Sequence, residues 1–270
     1  MPVEDLIRYF NTADTTGDST LYVVDDRVEA WHGGLHLGSL FQPVVDLRTE
    51  QVVGHRASLN VRLNDDTFLT ANAPFNACDS AAQVVHLDRL CRTLHALNFL
   101  AQQRRTGGYL QVAVHPRHLQ AVSNQHGLVY EAILKRCGLG PNDIVLDIEA
   151  GEFDLNGHGA HALASYRHRG YRLAIPGPEH MLALPAILAL RPEILRTSAA
   201  DPGLAASARL AGTLVEATGI DDDRTLRDAL ENGADLGTGS LFGEPKRTCR
   251  PTHTGSRNPY NPPSSYGARP

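Results

Sequence analysis

Histidine pairs, an aspartate run, scattered serines and four cysteines are the groups in this sequence whose types and spacing could support chemistry. His158 and His161, in NGHGAHALA, stand three apart and share a face if the segment is helical, which would supply half of a metal site. No carboxylate stands at a matching spacing, so helix-start or surface histidines are expected. His32 and His36, around Gly33 and Gly34, offer no better ligand set. Asp221, Asp222 and Asp223 resemble calcium ligands only superficially, because RTLRDALENG follows at once and acids at a helix N-terminus complement its dipole. Ser39, Ser58 and Ser198 lack a GxSxG setting, so a serine hydrolase is unsupported. Cys78, Cys91, Cys137 and Cys249 form no CxxC pair, which points to free buried thiols rather than a zinc ribbon or a disulfide framework.

The elements that must position any site follow a repeating pattern. Short runs rich in Val, Ile and Leu alternate with helix-length amphipathic stretches: LFQPVVDL, QVVGHRASL, a helix, YLQVAVH, a helix, IVLDIEA, a helix, then YRLAIP. PEILRTS, TLVEATG and ADLGTGSLFG continue the series at roughly ten- to fifteen-residue separations, which fits a (β/α) repeat. Eight strands result, the first two joined by the hairpin-like DLRTEQ. Alternation alone fits a barrel and an open doubly wound sheet equally, although no GxGxxG opens a helix after the first strand. Residues 1–30 read as a lead-in segment: a helical VEDLIRYF, a turn-rich DTTGDST and a strand-like STLYVVD. Residues 31–246 hold the repeat. Residues 247–270, crowded with Pro, Ser, Gly and Arg, lack the aliphatics that offset ordering entropy and are expected to be disordered.

Composition narrows the function. The chain has 270 residues, 42% of them hydrophobic, and a net charge of −5, so it can bury one large core and gives no electrostatic reason to expect nucleic acid or an anionic membrane. No run reaches the roughly 18 apolar residues of a membrane span, and MPVEDLIRYF has no signal-peptide character. A cytoplasmic protein is expected.

The ordered segments resemble a known family. FQPVVDLRTEQVVGHRASL is similar to the opening of EAL domains, the cyclic di-GMP phosphodiesterases. LDRLCRTLHAL, YLQVAVHPRHL, IVLDIEA, GYRLAIPG, RPEILRTS and VEATGIDDDRTLRDALENGADLGTGSLFGEP then match the family's later segments in order, over roughly residues 40 to 245. The resemblance implies a TIM-like (β/α)8 barrel of EAL type, its first strand antiparallel, with its site at the C-terminal strand ends. There the sequence departs from the family. The motif Glu becomes Arg56, the Asn becomes Ala113, the second Glu becomes Asp147, and the Asp pair becomes Pro176 and Gly177. The Lys becomes Arg196, the last Glu becomes Thr218, and the Gln becomes Thr238.

Those exchanges bear on chemistry. A two-metal phosphodiesterase needs oxygen ligands to hold its cations and lower the pKa of water, and here one expected carboxylate survives beside a guanidinium that stays charged. The resemblance therefore implies a degenerate, non-catalytic member with no metal or other cofactor, acting in signalling or regulation through a protein partner, with homodimerisation open. Arg56 should pair with Asp147, or with Glu149 two residues on, because an unpaired buried charge is costly. The alternative is a cyclic di-GMP receptor without hydrolysis. Gln42 and Pro245 match nucleotide-lining positions, Asn60 replaces the family's phosphate-contacting Arg, with Arg62 two residues beyond, and Arg56 or Arg196 could reach phosphates. The Pro176-Gly177-Pro178 turn would reshape the mouth for a partner or reflect drift in a loop released from catalysis.

Overall fold

A computed structural model describes residues 3–13, 19–102, 107–121, 131, 134–136, 138–148, 157–178, 180–198 and 200–252. Among them, eleven strands form one sheet: β1 (Ser19–Val24), β2 (Arg27–His32), β3 (Leu35–Asp46), β4 (Gln51–Arg62), β5 (Phe68–Leu69), β6 (Tyr109–Val114), β7 (Ile144–Ile148), β8 (Arg172–Pro176), β9 (Ile194–Thr197), β10 (Leu214–Thr218) and β11 (Leu236–Thr238). Eight of these close a barrel in the order β3-β11-β10-β9-β8-β7-β6-β4, with β3 pairing back to β4. β3 runs antiparallel to both of its barrel neighbours and the remaining barrel pairs are parallel, as the hairpin DLRTEQ requires. Asp46 builds that turn by accepting from the backbone N–H groups of Arg48 and Thr49, each at 2.9 Å.

The barrel interior follows from strand alternation, since residues i and i+2 share a face. Val44, Val53, Tyr109, Val145, Ala174, Ile194, Leu214 and Leu236, one from each barrel strand, make an apolar cluster of their own. Tyr109 crosses this layer, and a Cβ at Gly54 would lie 2.6 Å from its ring, so glycine is what admits the tyrosine. Two residues further along the strands the interior turns polar.

Outside the barrel, helix α1 (Val3–Ala13) precedes β1, and α2 (Ala73–Asn76) and α3 (Ala81–Leu100) follow β5. Ser80 caps α3, accepting from Gln83 N at 3.2 Å while the Gln83 side chain accepts from Ser80 N at 3.0 Å. The later crossovers include α4 (Pro116–Ala121), α5 (His158–His168), α6 (Leu184–Ala189), α7 (Pro202–Leu210) and α8 (Asp223–Glu231).

Both ends of the chain depart from the expected division. The helix and strand anticipated in residues 1–30 form, but they are integral: β1 and β2 extend the sheet from β3, and Leu6, Ile7, Leu21, Val28 and Ala30 join the main core. At the other end, residues 247–252 are held in place although they were expected to belong to a disordered tail. The preceding Lys246 exchanges backbone hydrogen bonds with Phe41 at 2.7 and 3.0 Å, Cys249 N donates to Gln102 Oε1 at 2.9 Å, and Arg250 N donates to His55 Nε2 at 3.0 Å. Backbone groups do this work, which a composition-based reading overlooks. Residues 253–270 lie outside the described residues.

Candidate functional site

The polar layer is assembled from six parallel strands. β4 supplies Arg56, β6 Gln111 and Ala113, β7 Asp147, β9 Arg196, and β10 Glu216 and Thr218; β11 adds Thr238 next to β10. Asp147 is fully buried at its centre. Arg56 Nε donates to Asp147 Oδ2 at 3.0 Å and Arg196 Nη2 lies 2.6 Å from Asp147 Oδ1, so each oxygen of one carboxylate faces its own guanidinium. The same Arg196 nitrogen also donates to the Ile148 carbonyl at 3.0 Å. The expected Arg56–Asp147 pair thus forms, and Arg196 joins it from β9, the next strand but one from β7. Glu149 lies outside the described residues.

Two members of this layer escaped the sequence reading, Glu216 and Gln111, both fully buried. Burial, then the neighbouring Asp147 charge, pushes the Glu216 carboxyl up to about 7, while Arg196, Arg56 and contact with Gln111 pull it the other way. Thr238 Oγ1 donates to Glu216 Oε1 at 3.4 Å. The signal was available: Glu216 stands two residues before Thr218, and Gln111 two before Ala113, on the same strand faces.

The remaining expected positions divide by location. Gln42, Arg56, Ala113 and Pro245 line one cavity of about 300 Å³ between the β3–β4 hairpin, β6, α2 and α3, together with Asn72 and Phe75. Asn60 pairs with Gly38 in the hairpin and does not line that cavity. Arg62 is committed elsewhere, at 2.6 Å from Asp66 and 3.6 Å from Glu29. Gly177 N donates to the Arg196 carbonyl at 2.6 Å, and Pro176 stands opposite Arg196 in the sheet, so this turn buttresses the arginine. Thr218 Oγ1 donates to the Thr197 carbonyl at 3.3 Å.

The spacings considered first resolve into structural uses. His158 and His161 sit exposed in the first turn of α5. His36 bonds Tyr22 and Asn64, whereas His32 packs against His86. Asp222 caps α8, and Asp221 accepts from Ser240. Ser39 Oγ lies 2.8 Å from His95 Nδ1 and accepts from Asn98, a buried knot joining β3 to α3. Cys78 and Cys91 are buried free thiols and Cys249 is free and half-buried; Cys137 lies outside the described residues.

With this geometry in place, residues 29–200 match the EAL domain family. The chain belongs to the EAL domain family. Solved EAL structures share its fold. The Bacillus subtilis YkuI protein, with an EAL domain, in complex with substrate cyclic di-GMP and calcium, superposes with a TM-score of 0.65 at 19% identity over 81% of this chain and 58% of that one. A standalone EAL protein from Vibrio cholerae O395, bound to cyclic di-GMP, gives 0.63 at 17% identity over 80% and 95%. Klebsiella pneumoniae BlrP1, in a calcium and cyclic di-GMP complex, gives 0.65 at 17% over 80% and 57%. This EAL chain therefore spans little more than half the length of two of these relatives. No curated protein sequence matches it.

A divalent metal centre of the kind the EAL family implies does not fit the donors present here. Asp147 already has a guanidinium on each oxygen, and Glu216 is inclined to hold its proton. Among the described residues no group of three or more His, Cys, Asp or Glu is arranged to hold a metal ion. A divalent ion placed beside Arg56 would meet repulsion of several kcal/mol at an effective dielectric of about 20.

Proposed function

We propose that this EAL barrel is non-hydrolytic and acts in the cytoplasm as a regulatory protein that binds another protein. The observation that carries this reading is the Arg56–Asp147–Arg196 arrangement, in which internal ion pairs occupy the centre that metal ligands would need. A stable internal pair removes both the ligand and the room for cations, so the barrel keeps its architecture while losing the means to activate water. Leu182 and Leu210, more than nine-tenths exposed on the elements after β8 and β9, are apolar side chains that a partner or a second copy would cover. A second reading, metal-free cyclic di-GMP reception, draws support from the shared cavity of Gln42, Arg56 and Pro245.

The direct test is incubation of the purified chain with cyclic di-GMP and magnesium or manganese, followed by chromatography for the linear product. No turnover above a protein-free control is expected. Arg56→Glu should stay equally inactive, because it restores one ligand while leaving Asp147 held by Arg196. Metal-dependent product formation by the unaltered chain would end the non-hydrolytic reading.

A further inference from the structure

A second cavity lies away from the barrel mouth, between the β2–β3 turn and the segment that leads from α2 into α3. Its volume is about 440 Å³, against about 300 Å³ at the mouth, and the two share no lining residue. Trp31, the chain's one tryptophan, borders it and keeps 38% of its surface exposed. Leu35 and Pro74 add apolar walls, and the rings of His32 and His86 stand 5.9 Å apart there. Cys78 lines it as a neutral group, since burial pushes its thiol pKa up and its Sγ donates to the Pro74 carbonyl at 3.4 Å. Among the described residues, no Asp, Glu, Lys or Arg lines this cavity.

The walls are fixed from behind. Arg117 of α4 donates to the Phe75 and Cys78 carbonyls at 3.2 and 3.0 Å, and the Phe75 ring stacks on His115 at 4.5 Å, which pins α2 and the turn after it. Gln83 is held by the α3 capping box, its Oε1 accepting from Asp79 N at 2.8 Å and from Ser80 N at 3.0 Å. The amide is thereby oriented, and among the described residues its Nε2 donates to no protein group. We infer that this cavity binds an uncharged aromatic molecule carrying a carbonyl oxygen, its ring against Trp31 and its oxygen accepting from Gln83 Nε2. A charged ligand would lose hydration with no opposite charge in the walls to offset it, whereas an aromatic ring gains by burial against the indole. The pinned walls and the oriented donor lower the ordering cost of binding. The volume has room for about one or two rings.

Benzamide, titrated into the full chain and followed by Trp31 fluorescence and by calorimetry, tests this. Saturable binding is expected, with acetamide, which lacks the ring, and benzoate, which carries a charge, each at least tenfold weaker. Gln83→Glu keeps an acceptor for the helix cap but replaces the Nε2 donor with a carboxylate oxygen, so it should weaken benzamide binding at least tenfold. Ala77→Phe, at an exposed position on the wall, should fill the cavity and block binding even if Gln83→Glu disturbs the start of α3. The inference is overturned by any of three results: no saturable change in either readout to about 10 mM, where affinity is negligible, benzoate binding as tightly as benzamide, or a folded Gln83→Glu or Ala77→Phe chain that binds benzamide as the unaltered chain does.

Discussion

Glu216 gives the barrel interior a pH dependence that can be read in stability. Its folded pKa is raised to about 7, against an ordinary carboxyl near 4.5, so the native state binds more protons than the unfolded chain between those values. Stability from this group is complete below about pH 4.5, is lost as pH rises through about 7, and is flat above about pH 8; the loss is on the order of 3 kcal/mol. Urea melts at pH 5, 6, 7 and 8 should show that decline, and Glu216→Gln should flatten it. A Glu216→Gln chain with an unchanged slope would place the titration elsewhere. Arg56 was legible in the sequence because Val52-Val53-Gly54 fix the register just before it. Its bond to Asp147 followed from the cost of an unpaired charge. The second hold by Arg196 was not legible, since it joins β9 to β7 over the intervening β8 and no local spacing records that approach.

At the scale of elements, a single amide fastens α3 to the strands beside it. Asn98 accepts from Val28 N at 3.0 Å, donates to the Val28 carbonyl at 2.8 Å and donates to Ser39 Oγ at 3.1 Å. Asn98→Ala would leave a buried N–H and a buried carbonyl of β2 without these partners, and the expected loss is about 2–3 kcal/mol in urea denaturation. A loss below about 0.5 kcal/mol would mean that water or a shifted neighbour replaces the amide. The barrel strands were readable as aliphatic runs of the right length and spacing. β2 was not, because RVEAWH carries charged and aromatic residues through its middle. Glu29 is nonetheless buried there, made tolerable by Tyr22 at 3.2 Å and Arg62 at 3.6 Å. Such compensation comes from other strands and leaves no periodic trace in the segment itself.

For the whole molecule, the segment from Lys246 to Thr252 works as a strap rather than as an appendage. It touches β3 through Phe41, β4 through His55 and the end of α3 through Gln102. A chain ending at Pro245 should melt several degrees lower than one ending at Thr252 in a thermal scan, since it forfeits these bonds. Equal melting temperatures would show the strap to be dispensable. His55 stays neutral in this arrangement, its pKa lowered to about 4 by burial, which keeps its Nε2 free to accept from Arg250.

The way the barrel closes sets an order on its formation. One side of β3 is joined to β4 by a local hairpin, which can form within microseconds of leaving the ribosome. Its other side meets β11 in only two residue pairs, Leu236 with Asp46 and Gly237 with Val45, from almost 200 positions away, and the strap lies directly beyond them. That joint is among the entropically dearest contacts in the chain and cannot be made until β11 has been synthesised. During translation the barrel therefore stands open along one edge, so the nascent protein depends on β11 and the strap to hide the margin of its first barrel strand.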